Sequence, residues 1–411
     1  MERAITVGLE LDEDISSKME ELNELVNAAG AEVVKTIVQR KDKVDSRTFF
    51  GKGKVDEIAQ WVEAEEIDML VVNHELTGSQ LRNLEELIEC KIVDRTNLIL
   101  DIFALRAQTL EGKLQVKLAQ LQYRMPRIIG YSDYLSRTGG GIGTRGPGEQ
   151  KLETDRRHIQ REIYNIKNQL KTVSKQRETK RKRRINQDIP IISFVGYTNA
   201  GKSTLMNRLM VSDDHVFEKD MLFATLDTTL RQGLLPSGQP VLFADTVGFV
   251  SDLPTALIEA FKGTLEEIKY SDLIIHVVDA SHEDLNLQMQ ITYDILKDMD
   301  VLDKDIITIY NKMDKVDGNT ILEKHIGFEE TYYMSALNNE DCHYLLQVIE
   351  GKLQKDYKAV QFKIPFAHHA IYNEILNDYG VEDETTDEES TIVTVKMKKE
   401  DIKKYKDYIM R

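Results

Sequence analysis

The chain has 411 residues, a formal net charge of −16 at pH 7 and 41% hydrophobic residues. This length predicts two to four domains with enough apolar side chains to form cores. No stretch approaches the ~20 apolar residues that a membrane-spanning helix needs, and the amino terminus lacks a signal-sequence pattern. Cys90 and Cys342 are far apart in the chain and indicate small buried apolar residues in a reducing cytosol, not a disulfide or a metal site.

The acidic average conceals two segments of opposite charge. Residues 175–184 hold seven basic groups and one acid, whereas residues 382–389 are almost entirely acidic. The net charge argues against nucleic-acid binding by the chain as a whole. A local basic segment can still bind a phosphate backbone. The alternative for residues 175–184 is a solvated helix face.

Residues 1–110 alternate strand and helix patterns, which predicts a small parallel α/β sandwich. The strand patterns cover 5–11, 32–38, 68–72 and 91–93, and the helix patterns cover 15–29, 55–64 and 78–88. The segment 49–54, Phe-Phe-Gly-Lys-Gly-Lys, lies between two of these units and lacks the spacing of a phosphate-binding loop. A bare turn is its simplest interpretation.

Two long helical patterns joined by a glycine-rich loop occupy residues 111–187. Apolar residues recur at spacings of three and four in both patterns: Leu114, Leu118, Leu121 and Met125, then Ile159, Ile163, Ile166, Leu170 and Val173. This seam predicts an antiparallel helical hairpin. Its tip, residues 138–148, contains six glycines and one proline, with Arg137 and Arg145 as basic groups. Such a loop is costly to order, and it is either a plain linker or a basic surface for a partner.

A phosphate-binding loop follows the apolar strand pattern Ile191–Val195. The motif G-x-x-x-x-G-K-S starts at Gly196 and leads into a helix pattern at Lys202. This strand–turn–helix setting directs backbone N–H groups at phosphate. Lys202 would reach the β- and γ-phosphates, and the Ser203 hydroxyl would ligate Mg²⁺. The predicted nucleotide-binding residues here are Gly196, Tyr197, Thr198, Asn199, Ala200, Gly201, Lys202, Ser203 and Thr204.

Three further motifs each follow a strand pattern. Residues 241–244 end in D-x-x-G, where Asp245 can hold Mg²⁺ through water and Gly248 can offer its N–H to a γ-phosphate. Residues 306–310 run into N-K-x-D, and residues 331–334 run into Ser-Ala. The predicted contacts are Asp245, Thr246, Val247, Gly248, Asn311, Lys312, Met313, Asp314, Ser335 and Ala336.

The last two motifs select the base. The Asp314 carboxylate can accept hydrogen bonds from guanine N1–H and the 2-amino group, and the backbone N–H of Ser335-Ala336 fits guanine O6. Adenine lacks that donor pair, so the carboxylate would stay unpaired against ATP. Four motifs in this order, each at a strand end, predict a site for GTP.

Asp245–Phe249, preceded by Leu222–Asp227, resembles the HflX family of translation-factor-related GTPases, and the resemblance covers nearly the whole chain. It implies a hairpin tip that reaches the ribosome's catalytic centre, where Arg137 and Arg145 would meet rRNA phosphates or bases. It also implies RNA contact by residues 175–184 and contact with ribosomal protein by the carboxy-terminal domain. The implied role is dissociation of stalled or idle ribosomes, chiefly under stress.

A switch segment is expected between Met210 and Asp227, with a threonine that completes the Mg²⁺ shell when GTP is bound. Thr225, Thr228 and Thr229 compete for this role. Related GTPases with a Phe-Thr-Thr-Leu motif favour the threonine before leucine, so we choose Thr225. Phe223 and Ala224 join Thr225 in the predicted GTP-binding set.

The catalytic group is not evident. Lys202 and Gly248 would assist the γ-phosphate, but Phe249 stands where Ras-like enzymes carry the glutamine that orients the attacking water. A phenyl ring can neither donate nor accept, so intrinsic hydrolysis should be slow. Another residue or an external partner must position the water, and in the HflX family the ribosome stimulates turnover.

The predicted fold class is multidomain α/β. It comprises an amino-terminal α/β domain (1–110), a helical hairpin (111–187), a doubly wound, mostly parallel P-loop GTPase domain (188–356) and a small α/β carboxy-terminal domain (357–411). The carboxy-terminal patterns are strands at 360–364 and 391–397 and helices at 370–378 and 400–409. We expect a monomer in the cytoplasm, partly associated with ribosomes or membrane. The alternatives are a ribosome-assembly checkpoint GTPase and an RNA-remodelling NTPase.

Overall fold

The structure is a computed structural model that describes residues 1–138, 147–185, 189–210, 229–251, 267–316, 328, 330–355, 357–379, 381, 383–399 and 401–410. Side chains are described over the same ranges except at 128–138, 147–152, 176–185, 229, 377 and 378. The chain folds into two compact units: Met1–Leu234 with Pro240–Cys342, and Leu235–Gln239 with His343–Arg411. No helix within the described ranges has an apolar stretch of the length that a bilayer crossing requires.

A four-stranded parallel sheet in the order β2-β1-β3-β4 forms the centre of the amino-terminal region. Its strands are β1 (Glu2–Glu10), β2 (Ala31–Arg40), β3 (Met69–Val72) and β4 (Lys91–Asp94). Its helices are α1 (Ser16–Ala28), α2 (Lys52–Ala64), α3 (Gly78–Leu87) and α4 (Arg95–Arg106). The predicted parallel α/β sandwich is confirmed.

Alternation along β3 shows why helices cover both faces of this sheet. Met69 and Val71 pack in one apolar cluster with α1 and α4, whereas Leu70 and Val72 pack in another with α2 and α3. Successive strand side chains point to opposite faces, so a strand that is apolar throughout needs a helical layer on each. Helix α4 was not predicted, because its residues are apolar on most sides and show little helical periodicity.

The interpretation of residues 49–54 as a bare turn is wrong in part. Phe49 does adopt a left-handed turn conformation (φ 67°), but both it and Phe50 are buried in the core beneath α2. Gly51 is the N-cap of α2, and Lys52 and Lys54 lie in the first helical turn. The two phenyl rings therefore anchor the start of a helix.

The hairpin consists of α5 (Leu110–Thr138) and α6 (Pro147–Ile185). The predicted seam is confirmed for eight of its nine residues: Leu118, Leu121, Ile159 and Ile166 are buried, with Leu114, Met125, Ile163 and Leu170 packed against them. The ninth, Val173, is half-buried and is not part of this cluster. The predicted loop bounds, 138–148, are too wide, because Thr138 ends α5 while Pro147 and Gly148 begin α6. Proline suits the first helical position, where its missing N–H has no partner to lose.

A six-stranded sheet in the order β10-β9-β8-β5-β7-β6 follows. Its strands are β5 (Ile191–Val195), β6 (Thr229–Leu234), β7 (Pro240–Asp245), β8 (Leu273–Asp279), β9 (Ile306–Asn311) and β10 (Glu330–Tyr333). Its helices include α7 (Lys202–Leu209) and α8 (Leu285–Asp298). A further helix, α9 (Asn339–Leu353), begins in the first unit, and its residues from His343 onward belong to the second. The doubly wound, mostly parallel prediction is confirmed. The unpredicted β6 pairs antiparallel with β7 at the sheet edge.

The second unit contains an antiparallel sheet in the order β11-β13-β12. It comprises β11 (Tyr357–Pro365), α10 (His369–Tyr379), β12 (Asp383–Thr386), β13 (Ser390–Lys398) and a 3₁₀ segment (Asp401–Tyr408). One strand here was not predicted, and one predicted helix is wrong. Part of the acidic segment is strand β12, and the expected helix at 400–409 is a 3₁₀ segment interrupted at Tyr405 (φ −110°).

Both cysteines are free thiols. Burial raises the pKa of each, that of Cys90 to about 11. They are therefore protonated at neutral pH, in agreement with their interpretation as small apolar residues.

Candidate functional site

Two glycines shape the loop between β5 and α7. Gly196 has φ 146°, and a Cβ at this position would lie 2.1 Å from the Val277 carbonyl oxygen. Gly201 has φ 91°, and its Cβ would lie 2.3 Å from Asn311 Nδ2. Only glycine satisfies both the backbone conformation and the close approach. The loop therefore sits directly on β8 and β9, and α7 starts with its N-terminal N–H groups facing the loop.

Lys202 lies beneath this loop and is 6% exposed. Its Nζ donates to the carbonyl oxygens of Gly196 (3.0 Å) and Tyr197 (2.6 Å). Burial lowers the pKa of Lys202 to about 8, although the charge of Asp245 opposes the shift. A phosphate bound to the loop would place a negative charge next to this ammonium group and so favour its charged form.

Ser203 and Asp245 meet beside Lys202. The Ser203 hydroxyl donates to Asp245 Oδ2 at 2.7 Å, and Asp245 is fully buried as the last residue of β7. A hydroxyl and a carboxylate are oxygen ligands of the kind that Mg²⁺ prefers. The pair fits a Mg²⁺ site in which Ser203 binds directly and Asp245 acts through water.

The D-x-x-G segment is paired with the phosphate-binding loop. Thr198 N donates to Phe249 O at 2.7 Å, and Phe249 N donates to Gly196 O at 3.1 Å. Thr246 Oγ1 donates to Phe194 O at 2.6 Å. Phe249 is 2% exposed and packs in the apolar cluster that also holds Val247. Its side chain is thus a core residue, in accord with its inability to orient water.

At the predicted base-binding end, the Asn311 side chain connects the N-K-x-D loop by hydrogen bonds to the phosphate-binding loop and the Ser-Ala loop. Its Nδ2 donates to Ala200 O at 2.9 Å, and its Oδ1 accepts from Ala336 N at 2.9 Å. Asp314 Oδ1 accepts from Ser335 Oγ at 2.5 Å. N-K-x-D and Ser-Ala are therefore held together, as the sequence order predicted, and the Asp314 carboxylate remains in an exposed position.

Lys312 also lies at the predicted base-binding end of the site. It has a left-handed conformation (φ 62°), and its Nζ donates to Asp279 Oδ2 at 2.7 Å. Burial alone would raise the pKa of Asp279, but hydrogen bonds from Lys312 and Ser281 outweigh it and the net shift is downward. This ion pair fixes the Lys312 stem at the end of β9. Met313 follows in a short 3₁₀ turn.

Several predicted site residues lie outside the described part of the chain. They are Phe223, Ala224, Thr225, Thr228 and Arg145. Arg137 lies near the end of α5, and Thr204 lies in the first turn of α7. The alternative magnesium ligand Thr229 begins β6, in register with Asp245.

A buried polar network that the motifs did not indicate joins the amino-terminal sheet to the nucleotide motifs. The Glu21 carboxylate accepts hydrogen bonds from the hydroxyls of Tyr197 and Ser251, and from Arg95 Nη2 at 2.5 Å. Ser251 N donates to Tyr197 OH at 2.5 Å. Arg95 Nη2 also donates to Ser251 Oγ (2.9 Å) and O (3.2 Å). Tyr197 is in the phosphate-binding loop, and Ser251 lies three residues beyond Gly248.

One signal could have pointed to this network. Arg95 follows Asp94 in a short polar segment between the apolar runs 92–93 and 98–100, and a charge close to such runs is usually paired when it is buried. Its partner could not be found by spacing, because Glu21 and Ser251 are 230 positions apart.

Comparison with known proteins agrees with this geometry. Three families match successive parts of the chain: "GTP-binding GTPase N-terminal" over residues 16–104, "GTP-binding GTPase Middle Region" over 106–184 and "50S ribosome-binding GTPase" over 191–312. GTPase HflX of Caldanaerobacter subterraneus subsp. tengcongensis is 44% identical over 409 residues, which cover 100% of this chain and 94% of that protein. GTPase HflX of Escherichia coli K12 is 37% identical over 398 residues, which cover 95% and 92%.

A solved structure shows the same fold. The crystal structure of SsGBP in complex with GDP aligns with a TM-score of 0.50 at 24% identity, covering 85% of this chain and 98% of that one.

The fold and the site define a P-loop GTPase, which binds GTP and hydrolyses it to GDP and phosphate. The matches extend over almost the full length of curated relatives. The chain belongs to the HflX family of GTPases.

Proposed function

We propose that this GTPase binds the large ribosomal subunit through its helical hairpin and uses GTP-dependent switching to dissociate stalled or idle ribosomes, chiefly under stress. Residues 111–187 would contact rRNA, 188–356 would bind GTP, and 357–411 would contact ribosomal protein. The protein would act as a monomer in the cytoplasm, partly associated with ribosomes or membrane. The description of the family that matches residues 191–312, a 50S ribosome-binding GTPase, supports this partner.

The observation that carries the proposal is two sets of polar contacts that meet at neighbouring residues: the nucleotide motifs contact Arg95, and the hairpin contacts Asp94. On the nucleotide side, Arg95 binds both the carbonyl and the hydroxyl of Ser251. Arg95 is 4% exposed, and its Nη1 also donates to Asn73 Oδ1 at 3.0 Å. A buried arginine with this many hydrogen-bond partners is held in one conformation. A shift of the segment after Gly248 would therefore displace Arg95 and the start of α4.

On the hairpin side, the contacts are made by Asp94, the residue before Arg95. Asp94 is buried, and its carboxylate accepts from Tyr123 OH at 2.6 Å and from Arg127 Nη2 at 3.1 Å. Arg127 Nη2 also donates to Leu76 O at 2.9 Å. Tyr123 and Arg127 both belong to α5, the first helix of the hairpin. Binding of a γ-phosphate at Gly248 could therefore bias the orientation of the hairpin through adjacent residues of a single helix start.

The site roles within this function are those that the motifs predict, and the contacts of Lys202, Ser203 and Asp245 support them. Lys202 and the Gly248 N–H would hold the γ-phosphate, and Ser203 and Asp245 (through water) would hold Mg²⁺, with Thr225 as a further ligand in the GTP state. Mg²⁺ would neutralise charge between the β- and γ-phosphates. Asp314 and the N–H groups of Ser335-Ala336 would read guanine.

Sedimentation of intact ribosomes tests the proposal. With a non-hydrolysable GTP analogue, the protein should convert intact ribosomes into subunits, and GDP should not support this conversion. A ribosome-assembly checkpoint GTPase would bind free large subunits and leave intact ribosomes whole. An RNA-remodelling NTPase would act without preference for guanine nucleotides.

A tip variant supplies the matched comparison. Arg137→Ala combined with Arg145→Ala should lose most of the splitting activity, because phosphate contacts supply much of the affinity for RNA. Arg157→Ala changes an arginine of the same hairpin that pairs with Glu153 on α6 (2.6 Å), and it should split ribosomes normally. Equal activity of the two variants would contradict a role for the tip.

A further inference from the structure

We propose that the Thr198 hydroxyl positions the water that attacks the γ-phosphate, the task of the glutamine that Phe249 replaces. The proposal rests on GTP hydrolysis and not on the proposed ribosomal partner. As with the glutamine of Ras, a water-positioning group can support a slow intrinsic rate that an external partner then raises.

Thr198 borders the place where the γ-phosphate is expected to bind, with its methyl carbon nearest to Gly248. A Cβ built on Gly248 would be 2.7 Å from Thr198 Cγ2, 2.8 Å from Thr198 Cα and 3.1 Å from Lys202 Nζ. These three residues therefore converge within a few ångströms. Lys202 reaches the β- and γ-phosphates in P-loop GTPases. A γ-phosphate held by Lys202 and the Gly248 N–H consequently lies beside Thr198.

The Thr198 hydroxyl is buried without a partner. The residue is 5% exposed, and within the described part of the chain its Oγ1 has no hydrogen bond. Burying an unpaired hydroxyl costs folding free energy, and native proteins satisfy nearly all such groups. The methyl carbon of Thr198, not the hydroxyl, lies next to Gly248 in this structure, so the hydroxyl can gain a partner at the phosphate site when the nucleotide binds and the side chain turns.

The neighbouring hydroxyl groups are already committed. Tyr197 and Ser251 donate to Glu21, Ser203 donates to Asp245, and Thr246 donates to the Phe194 carbonyl. Among these described hydroxyls around Gly248, Thr198 alone is available to bind water or phosphate without breaking a protein contact.

A threonine hydroxyl can supply the hydrogen bonds that the task needs. The hydroxyl oxygen accepts a hydrogen bond from the attacking water, and the same hydroxyl donates a hydrogen bond to a γ-phosphate oxygen. A glutamine amide does the same with its carbonyl oxygen and its NH₂ group. The water oxygen forms a bond to phosphorus while the bond to the β–γ bridging oxygen breaks, and GDP leaves with that electron pair. The water proton ends on the released phosphate, and Thr198 keeps its own. A turn between staggered rotamers exchanges the methyl group, now next to Gly248, with the hydroxyl.

Two variants of Thr198 test this role in the full-length protein. Thr198→Val keeps the shape and removes the hydroxyl, whereas Thr198→Ser keeps the hydroxyl. In single-turnover hydrolysis at saturating GTP, the valine variant should be slower by about 10²-fold, the effect of losing one preorganised hydrogen-bonding group. Its affinity for fluorescent GDP should stay within about twofold, because the lost interaction belongs to the transition state. The serine variant should retain most of the wild-type rate.

Stability gives a second readout. Since Thr198→Val removes a buried unpaired hydroxyl, the nucleotide-free variant should unfold at a temperature equal to or higher than wild type. A wild-type hydrolysis rate for the valine variant overturns the assignment. So does a loss of nucleotide affinity equal to the loss of rate, or a serine variant as slow as the valine variant.

Discussion

The Lys202→Ala variant is expected to lose tight GTP binding, with an affinity about 10³-fold below wild type. That factor corresponds to two lost charge-assisted hydrogen bonds of ~2 kcal/mol each. Lys202 is held under the phosphate-binding loop by the carbonyls of Gly196 and Tyr197, and burial lowers its pKa to about 8. Phosphate oxygens would be stronger partners for the ammonium group than these carbonyls. Titration with fluorescent GTP measures the loss.

A control separates a site effect from a general effect of removing a lysine. Lys297→Ala changes an exposed lysine in the last turn of α8 and should bind GTP as wild type does. Lys202→Ala should also remain folded, because it deletes a desolvated cation rather than a packing residue. Retained GTP affinity in a folded Lys202→Ala protein would refute the assignment of the phosphate site.

Asp314→Asn should exchange guanine for xanthine specificity. We expect GTP affinity to fall by at least ~10³-fold, since sites built around a specific hydrogen bond reject the wrong partner by about 10⁴–10⁵-fold. Ser335 Oγ donates to Asp314 Oδ1 at 2.5 Å, and an asparagine oxygen can accept the same bond. Its amide NH₂ would then face the base, where it repels the guanine 2-amino donor and pairs with the 2-oxo group of xanthine.

Competition between GTP and XTP for hydrolysis measures this exchange. Asp298→Asn alters an exposed carboxylate at the end of α8 and should leave guanine preference unchanged. If Asp314→Asn kept its preference for GTP, base recognition would have to come from other groups, and the argument against ATP would fail with it.

The nucleotide motifs could be predicted from sequence because each is a local pattern with a local cause. Gly196 and Gly201 are required by positive φ values and by close approach to β8 and β9, and the flanking apolar run marks β5. The short edge strands β6 and β12 were missed because their sequences are polar and lack apolar alternation.

The network of Glu21, Arg95, Tyr197 and Ser251 could not be predicted in the same way. Its members come from α1, α4 and two loops of the GTPase sheet, and no periodicity links segments 230 positions apart. The unpaired hydroxyl of Thr198 was likewise invisible, because the motif allows any residue at its position. Knowing that a residue is buried without a partner requires the fold.

The most direct test of the central claim is GTP turnover by the purified protein, alone and with added large ribosomal subunits. A ribosome-triggered switch predicts slow turnover alone and a rise of ~10³-fold or more with subunits, the scale of external activation in P-loop GTPases. An unchanged rate would contradict the claim. It would mean that groups within the chain complete the catalytic site unaided and that the large subunit is not the activating partner.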